Sequence, residues 1–375
     1  MKQIGGFFTY EPLPETENHY LENLCPPGGS LRFFMSGRCA NYYALQDICL
    51  SDTKKVAYVP VYTCETVLAP FLKAGYELLF YDVSRDLTPI FDERVLDRIS
   101  VVNLCGYYGF CSYDREFIRK CSERGIIIVE DTTHSIFSAD GVDPHCDYVV
   151  GSMRKWIGVP AGGFAIKRKG GFSLPVLPPD ETHLSMRSMS MRGKQQLLQA
   201  GTPDPQAMQK FNDTFWDAEM MLRRIFDSYG SDRDSEYIIR HYDFEQLKQR
   251  RRANYQYLLD HMPEHPQLTV IFPVLKKGTV PSHFTVYAED RDMVQSYLAG
   301  RGIKTTTYWP QGPMVDTEGH GEAAYIYSHV LSFTCDQSYE TEDIEYICRQ
   351  IEDMPEKLEL KNKFLKIILK NENTG

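Results

Sequence analysis

Three short clusters in this 375-residue chain carry side chains that could do chemistry together. The first is Ser36-Gly37-Arg38-Cys39, at the start of an apolar-periodic stretch. The second is Asp131-Thr132-Thr133-His134, after the run Ile126 to Glu130, and the third is Ser152-Met153-Arg154-Lys155, after Tyr148 to Val150. A Ser-Gly helix start offers free backbone N–H groups and the positive end of a helix dipole, and glycine lets the backbone close on a phosphate. Arg38 adds charge-assisted hydrogen bonds there. A carboxylate at Asp131, on the rim of a sheet, can pair with a protonated ring nitrogen and make that ring an electron sink. Lys155 precedes Trp156 and the Gly/Pro-rich loop 158–163. Partial desolvation and the neighbouring Arg154 would lower its pKa toward that of a nucleophilic amine. Each cluster alone has an ordinary alternative: a helix N-cap without a ligand, a loop aspartate capping the next helix, a surface lysine. Their order along the chain is what one phosphorylated aromatic cofactor needs in order to touch three strand ends of one sheet.

The elements that must position these clusters follow from periodicity. Between residues 30 and 170, runs rich in β-branched and aromatic residues alternate with helix-like segments, the pattern of an α/β fold with a mostly parallel central sheet covered by helices. Strands are predicted at 56–60, 77–81, 100–104, 126–130, 148–150 and 163–167, with helices over 39–50 and 113–124. Ligands of such sheets bind at the carboxyl ends of the strands, where the second and third clusters fall. The stretch Gly170 to Gln206 is crowded with Gly, Pro, Ser and Met and shows no clear period, so it is expected to be an excursion off the sheet that could cover a site. From Phe211 to about Met262 the pattern is helical. Strands at 268–272, 283–288, 304–308 and 330–333 then predict a smaller α/β unit. Residues 1–245 are expected to form a large domain and 246–375 a small one, with the boundary in a long helix. The Lys-rich tail after Pro355 is expected to be an exposed helix or a frayed end.

Composition excludes several function classes. A net charge of −10 argues against a nucleic-acid binder, and the run Arg250 to Arg252, in a helical stretch, is expected to be a solvated face. Ten scattered cysteines without a CxxC pair or a His/Cys cluster indicate neither a zinc site nor a disulfide framework, and a reducing cytoplasm fits them best. The amino-terminal residues lack a long apolar segment, and no stretch approaches the roughly 18 apolar residues of a membrane span, so an unprocessed cytoplasmic protein with no membrane partner is expected.

From about Phe33 to Arg168 the chain resembles the large domain of the DegT/DnrJ/EryC1/StrS aminotransferases, which are fold-type I enzymes dependent on pyridoxal 5'-phosphate. Ser36-Gly37, Val59-Pro60-Val61-Tyr62-Thr63 and Glu130-Asp131-Thr132-Thr133-His134 carry most of the resemblance. Gly75 with Tyr81-Asp82-Val83, and Tyr107-Tyr108-Gly109, fit the family's spacing, and Gln246 to Leu259 resembles the helix that opens its small domain. The resemblance implies a Schiff base on Lys155, the cofactor phosphate on Gly37, Arg38 and Cys39 with the Ser152 hydroxyl, Asp131 on the pyridine nitrogen, and His134 against the ring. It also implies a homodimer and amino transfer from an amino-acid donor, glutamate in the family, to a keto acceptor such as a nucleotide-linked keto sugar. Lys155, once released, would move the proton as general base.

The chain departs from the family where Cys64 stands for the aromatic residue that stacks on the cofactor, with Tyr62 the nearest replacement. Ala161 stands for the acidic residue before the Gly-Gly pair, and neither the Asn-Tyr-Arg segment that reaches the neighbouring subunit nor the His-rich segment near Tyr308-Trp309-Pro310 is recognisable. Those segments line the family's substrate pocket, so the acceptor stays open. Two alternatives stand beside transamination: a lyase or desulfurase on the same fold, using Cys335 as a mobile nucleophile, and a non-catalytic protein that has kept the cofactor pocket.

Overall fold

The computed structural model describes residues 3–201 and 204–356. The first half of the chain alternates strands and helices: α1 (Tyr20–Leu24), β1 (Ser30–Phe34), α2 (Gly37–Ile48), β2 (Val56–Pro60), α3 (Glu65–Lys73), β3 (Glu77–Val83), β4 (Pro89–Ile90), β5 (Val101–Cys105), α4 (Arg115–Glu123), β6 (Ile127–Asp131), β7 (Tyr148–Ser152) and β8 (Gly163–Lys167). Four helices follow, α5 (Glu181–Gln199), α6 (Pro205–Ile225), α7 (Arg233–His241) and α8 (Phe244–His261). The chain continues through β9 (Leu268–Val270), β10 (Phe284–Ala288), α9 (Arg291–Ala299), α10 (Gly321–His329), β11 (Val330–Phe333) and α11 (Thr341–Glu352).

The large sheet has the order β1-β8-β7-β6-β5-β2-β3-β4. The five strands β7, β6, β5, β2 and β3 run parallel, and β8, between β1 and β7, runs against both. Strands β5 and β7 are buried along their whole length, and β6 at four of its five residues, which suits a parallel sheet covered on both faces. Because β1, β2, β5, β6 and β7 point the same way, their carboxyl ends bring Ser36, Cys64, Cys105, Asp131 and Ser152 to one edge. A second sheet, β11-β10-β9, is antiparallel; α9 and α10 contact its central strand, and α11 packs on α8.

Three expectations need correction. Within Gly170 to Gln206 lies a 19-residue helix, α5; its inward face carries His183, Arg187, Ser190 and Lys194 beside Leu184, Met191 and Gly193, so no apolar period marks it. Residues 304–308 make only an isolated bridge, Thr306 to Ser332, rather than a strand. The run Arg250 to Arg252 is a solvated face only in part, since Arg250 and Arg252 are half-buried and Arg251 points inward. Arg251 is buried, lies over the Trp156 ring with 4.7 Å to the centroid, and donates to the Ser282 carbonyl at 2.8 Å and to Gln337 at 2.9 Å. The tail beyond residue 356 lies outside the described residues.

Candidate active site

A cavity of about 430 Å³ opens at the carboxyl edge of the large sheet and is lined by residues of all three clusters. At one end is the start of α2. Ser36 caps that helix by accepting from the Cys39 amide at 3.2 Å, and no acidic residue occupies the first turn to compete with an incoming anion. A Cβ on Gly37 would lie 3.1 Å from Ser152 Cβ, so the helix start and the β7 end are held in close contact. Arg38 lines the cavity, but its guanidinium donates to the Leu222 carbonyl of α6 at 2.6 Å and lies over the Phe226 ring. Cys39 does not line the cavity; its amide is taken by Ser36 and its thiol is buried. Gly37, Arg38 and Ser152 are thus the members of the expected cradle that reach the cavity.

Asp131 closes β6 with its side chain buried and lining the cavity. One carboxylate oxygen accepts from the Thr133 amide at 2.9 Å. Burial raises its pKa, opposed by the Thr133 hydrogen bonds, and among the described residues no basic group offsets the desolvation. His134 is buried with neither ring nitrogen hydrogen-bonded among the described residues. Burial first, then the charges of Lys155 and Arg251, depress its pKa to about 3, so the ring is neutral. A buried carboxylate without a cation and an imidazole without a partner, both at one cavity wall, fit a cofactor ring that brings a protonated nitrogen and a polar substituent.

Lys155 ends a short helical turn after β7, half-buried, with its Nζ 5.7 Å from the Tyr308 ring centroid. Burial lowers its pKa most; Arg154 and Arg187 add to this, while Glu219 and Cys64 oppose it. The turn is fixed from behind: Trp156 Nε1 donates to the Thr133 carbonyl at 2.8 Å, tying the lysine loop to the Asp131 loop. The amino-terminal segment braces the same loop, with the Glu11 amide donating to the Gly158 carbonyl at 2.8 Å.

Tyr62 does not take the place of the missing stacking residue. It is fully buried and outside the cavity wall, with its hydroxyl 2.9 Å from that of Tyr108. The aromatic face comes instead from Trp309, which lines the cavity beside Cys64, 5.2 Å from the His134 ring centroid and 5.3 Å from that of Tyr62. Sequence reasoning also missed Glu219 and Trp216 of α6 and Arg187 of α5. Glu219 accepts hydrogen bonds from both Arg154 and Arg187. Burial opposes its charge, yet Arg154, Arg187 and Lys155 outweigh this and hold its carboxyl at about 2. The one available signal was composition: two of only three tryptophans line this cavity. Cys335, the nucleophile of the desulfurase alternative, is buried against the Pro281 carbonyl outside the cavity wall, and burial pushes its thiol up to about 12. A buried, protonated thiol outside the cavity is not placed to act as the nucleophile, so that alternative is not favoured.

No protein-family model and no curated protein matches the chain. Solved structures do. DesV of S. venezuelae, in complex with a ketimine intermediate, is 19% identical over 93% of this chain and 91% of its own, with a TM-score of 0.62. Helicobacter pylori PseC, an aminotransferase involved in the biosynthesis of pseudoaminic acid, is 12% identical over 94% of this chain and 99% of its own, with a TM-score of 0.62. A DegT DnrJ EryC1 StrS aminotransferase from Brucella abortus is 15% identical over 86% of this chain and 85% of its own, at 0.56. Across both sheets, the chain therefore has the fold of the DegT/DnrJ/EryC1/StrS aminotransferases.

Proposed function

We propose that the protein is a divergent member of this aminotransferase family that binds pyridoxal phosphate through Lys155 and moves an amino group from an amino-acid donor to a keto acceptor. A keto sugar is the acceptor class suggested by the structural neighbours, and a homodimer in the cytoplasm is the expected form. The observation that carries this reading is one cavity bordered by an uncompensated helix start, a buried carboxylate without a cation, and a lysine whose pKa is lowered by burial.

When bound, pyridoxal phosphate supplies a carbonyl carbon and an electron sink. The chain does the rest. Gly37 and Arg38 amides with the Ser152 hydroxyl would hold the phosphate, and Asp131 would keep a proton on the ring nitrogen, whose positive charge would offset the desolvation of the carboxylate. His134, neutral, offers a hydrogen bond to a ring substituent. Lys155 Nζ would hold the cofactor covalently and, as the free amine, would be the base that takes the proton from the donor α-carbon and, in the second half of the exchange, gives one to the acceptor carbon. Trp309 and Trp216 line the cavity. Residues 1–245 would hold the cofactor, with 246–375 as the smaller domain that supplies Trp309.

Mixing the loaded protein with L-glutamate and a panel of other amino acids tests the reaction. The expected result is loss of the visible cofactor band, with one keto acid formed per site. Binding of the cofactor with no conversion by any donor would favour the non-catalytic alternative.

A further inference from the structure

The loop that carries Lys155 is gripped from outside the cavity. Trp156, the residue after the lysine, is fully buried, and its carbonyl accepts from Gln337 Nε2 at 2.7 Å and from Arg251 Nη2 at 3.3 Å. Arg251 Nε also donates to Gln337 Oε1 at 2.9 Å, so the two side chains act as one donor unit on that carbonyl. The same guanidinium covers the Trp156 ring, whose Nε1 is held on the Thr133 carbonyl. Ring face, ring nitrogen and carbonyl of Trp156 are thus all engaged by segments remote in sequence, one residue from the lysine. The grip continues along α8. Asn254, one turn on from Arg251, donates through Nδ2 to the Asp336 carbonyl at 2.9 Å and the Tyr339 carbonyl at 3.1 Å, which holds the segment carrying Gln337 against the helix. Neither Arg251 nor Gln337 lines the candidate active-site cavity.

A buried guanidinium is a costly way to fill a core: burial lowers its pKa, and a neutral side chain of similar volume would pack there without desolvating a charge. What a neutral residue would not supply is a rigid, forked donor that reaches the Trp156 and Ser282 carbonyls, the Gln337 amide oxygen and an indole face at once. We propose that Arg251 and Gln337 are positioning residues for Lys155. By fixing the carbonyl and ring of Trp156 they set the direction in which the lysine side chain leaves its turn, and so the place of Nζ relative to the wall formed by Asp131 and His134. The inference rests on the aminotransferase reading, because it is the bond made by Lys155 Nζ that demands this placement.

Two probes separate covalent capture from simple binding. Pyridoxal phosphate has an aldehyde that condenses with the Lys155 amine with loss of water, whereas deoxypyridoxine phosphate keeps the ring and phosphate but carries a methyl group in place of the aldehyde. Arg251→Lys keeps the charge without the fork, and Gln337→Ala, at a half-buried position, removes the other donor. In cofactor-free protein each variant should capture pyridoxal phosphate at least about tenfold more slowly, read from the growth of the visible band, since a misplacement on the order of 1 Å costs up to about 10²-fold. Affinity for deoxypyridoxine phosphate, measured by calorimetry, should stay at the wild-type value in both. Capture at the wild-type rate in either folded variant would overturn the proposal. So would an equal loss of capture and of deoxypyridoxine phosphate affinity, which would mark a structural role for the whole pocket. If Arg251→Lys does not fold, Gln337→Ala decides by the same two readings. Wild-type protein that binds deoxypyridoxine phosphate yet shows no capture at Lys155 would sink the aminotransferase reading, and this inference with it.

Discussion

A lysine serves as a nucleophile only where it gives up its proton near working pH, and burial moves the Lys155 pKa in that direction, with Arg154 and Arg187 adding to the shift and Glu219 holding it back. Glu219→Gln should therefore lower the Lys155 pKa further. The pH at which the unloaded protein captures pyridoxal phosphate at half its maximal rate should move down in the variant; an unmoved or higher midpoint would contradict the charge balance. The same change strands two buried guanidinium groups, and the destabilisation expected from breaking a buried ion pair is about 3–5 kcal/mol in urea unfolding. Asp131→Asn should leave pyridoxal phosphate bound but slow amino transfer by about 10²–10³-fold, the scale seen when one preorganised electrostatic partner is removed. A rate within a few-fold of wild type would mean that Asp131 is only a turn residue holding the Thr133 amide. Lys155, Asp131 and Ser152 were legible as residues of the sheet's edge because they end, or closely follow, short apolar strands. Arg187, Glu219 and Trp309 were not, because they reach the cavity from segments distant in sequence, and nothing local to them distinguishes them from surface residues.

Elements hold the site through close backbone approaches. On β8, a Cβ at Gly163 would fall 2.0 Å from the Ser36 carbonyl oxygen and 3.0 Å from the Gly37 nitrogen, so any side chain there pushes on the start of α2. Gly163→Ala should cost about 1–3 kcal/mol of stability and weaken pyridoxal phosphate binding in the folded fraction. Retained affinity at wild-type stability would show that the cradle is not set by this contact. The Gly162-Gly163 pair could be seen in the sequence, but what it abuts could not, since β1 and β8 pair antiparallel across more than a hundred intervening residues. The strands of the parallel sheet were legible as continuous apolar runs. Helix α5 escaped because the side it buries faces the cationic site, so that Arg187 and Lys194 stand where leucines would mark a helix.

Across the whole molecule, buried neutral histidines tie stability to pH. His183 is buried between α5 and α6 with Nδ1 at 3.0 Å from the Ala218 carbonyl, and burial, then Arg154 and Arg187, hold its pKa near 3. The unfolded chain takes up a proton on this residue near pH 6.5 and the folded chain does not, so its contribution to stability is lost as pH falls below about 6.5. Glu130 has the opposite sign: burial lifts its carboxyl to about 8, so the folded state holds a proton that the unfolded chain releases, and its contribution is lost as pH rises from about 4.5 to 8. His183→Gln isolates the first effect. Below about pH 6, urea unfolding of the variant should fall off less steeply than wild type, by a difference approaching about 1.4 kcal/mol per pH unit. Parallel curves would mean that His183 titrates normally in the folded protein.

The central claim is that Lys155 carries the cofactor, and the most direct measurement is borohydride reduction of the protein incubated with pyridoxal phosphate, followed by peptide mapping beside Lys155→Ala. A stable adduct on the peptide containing Lys155, absent from the variant, is the predicted result. An adduct on another lysine, or none in wild type, would contradict it.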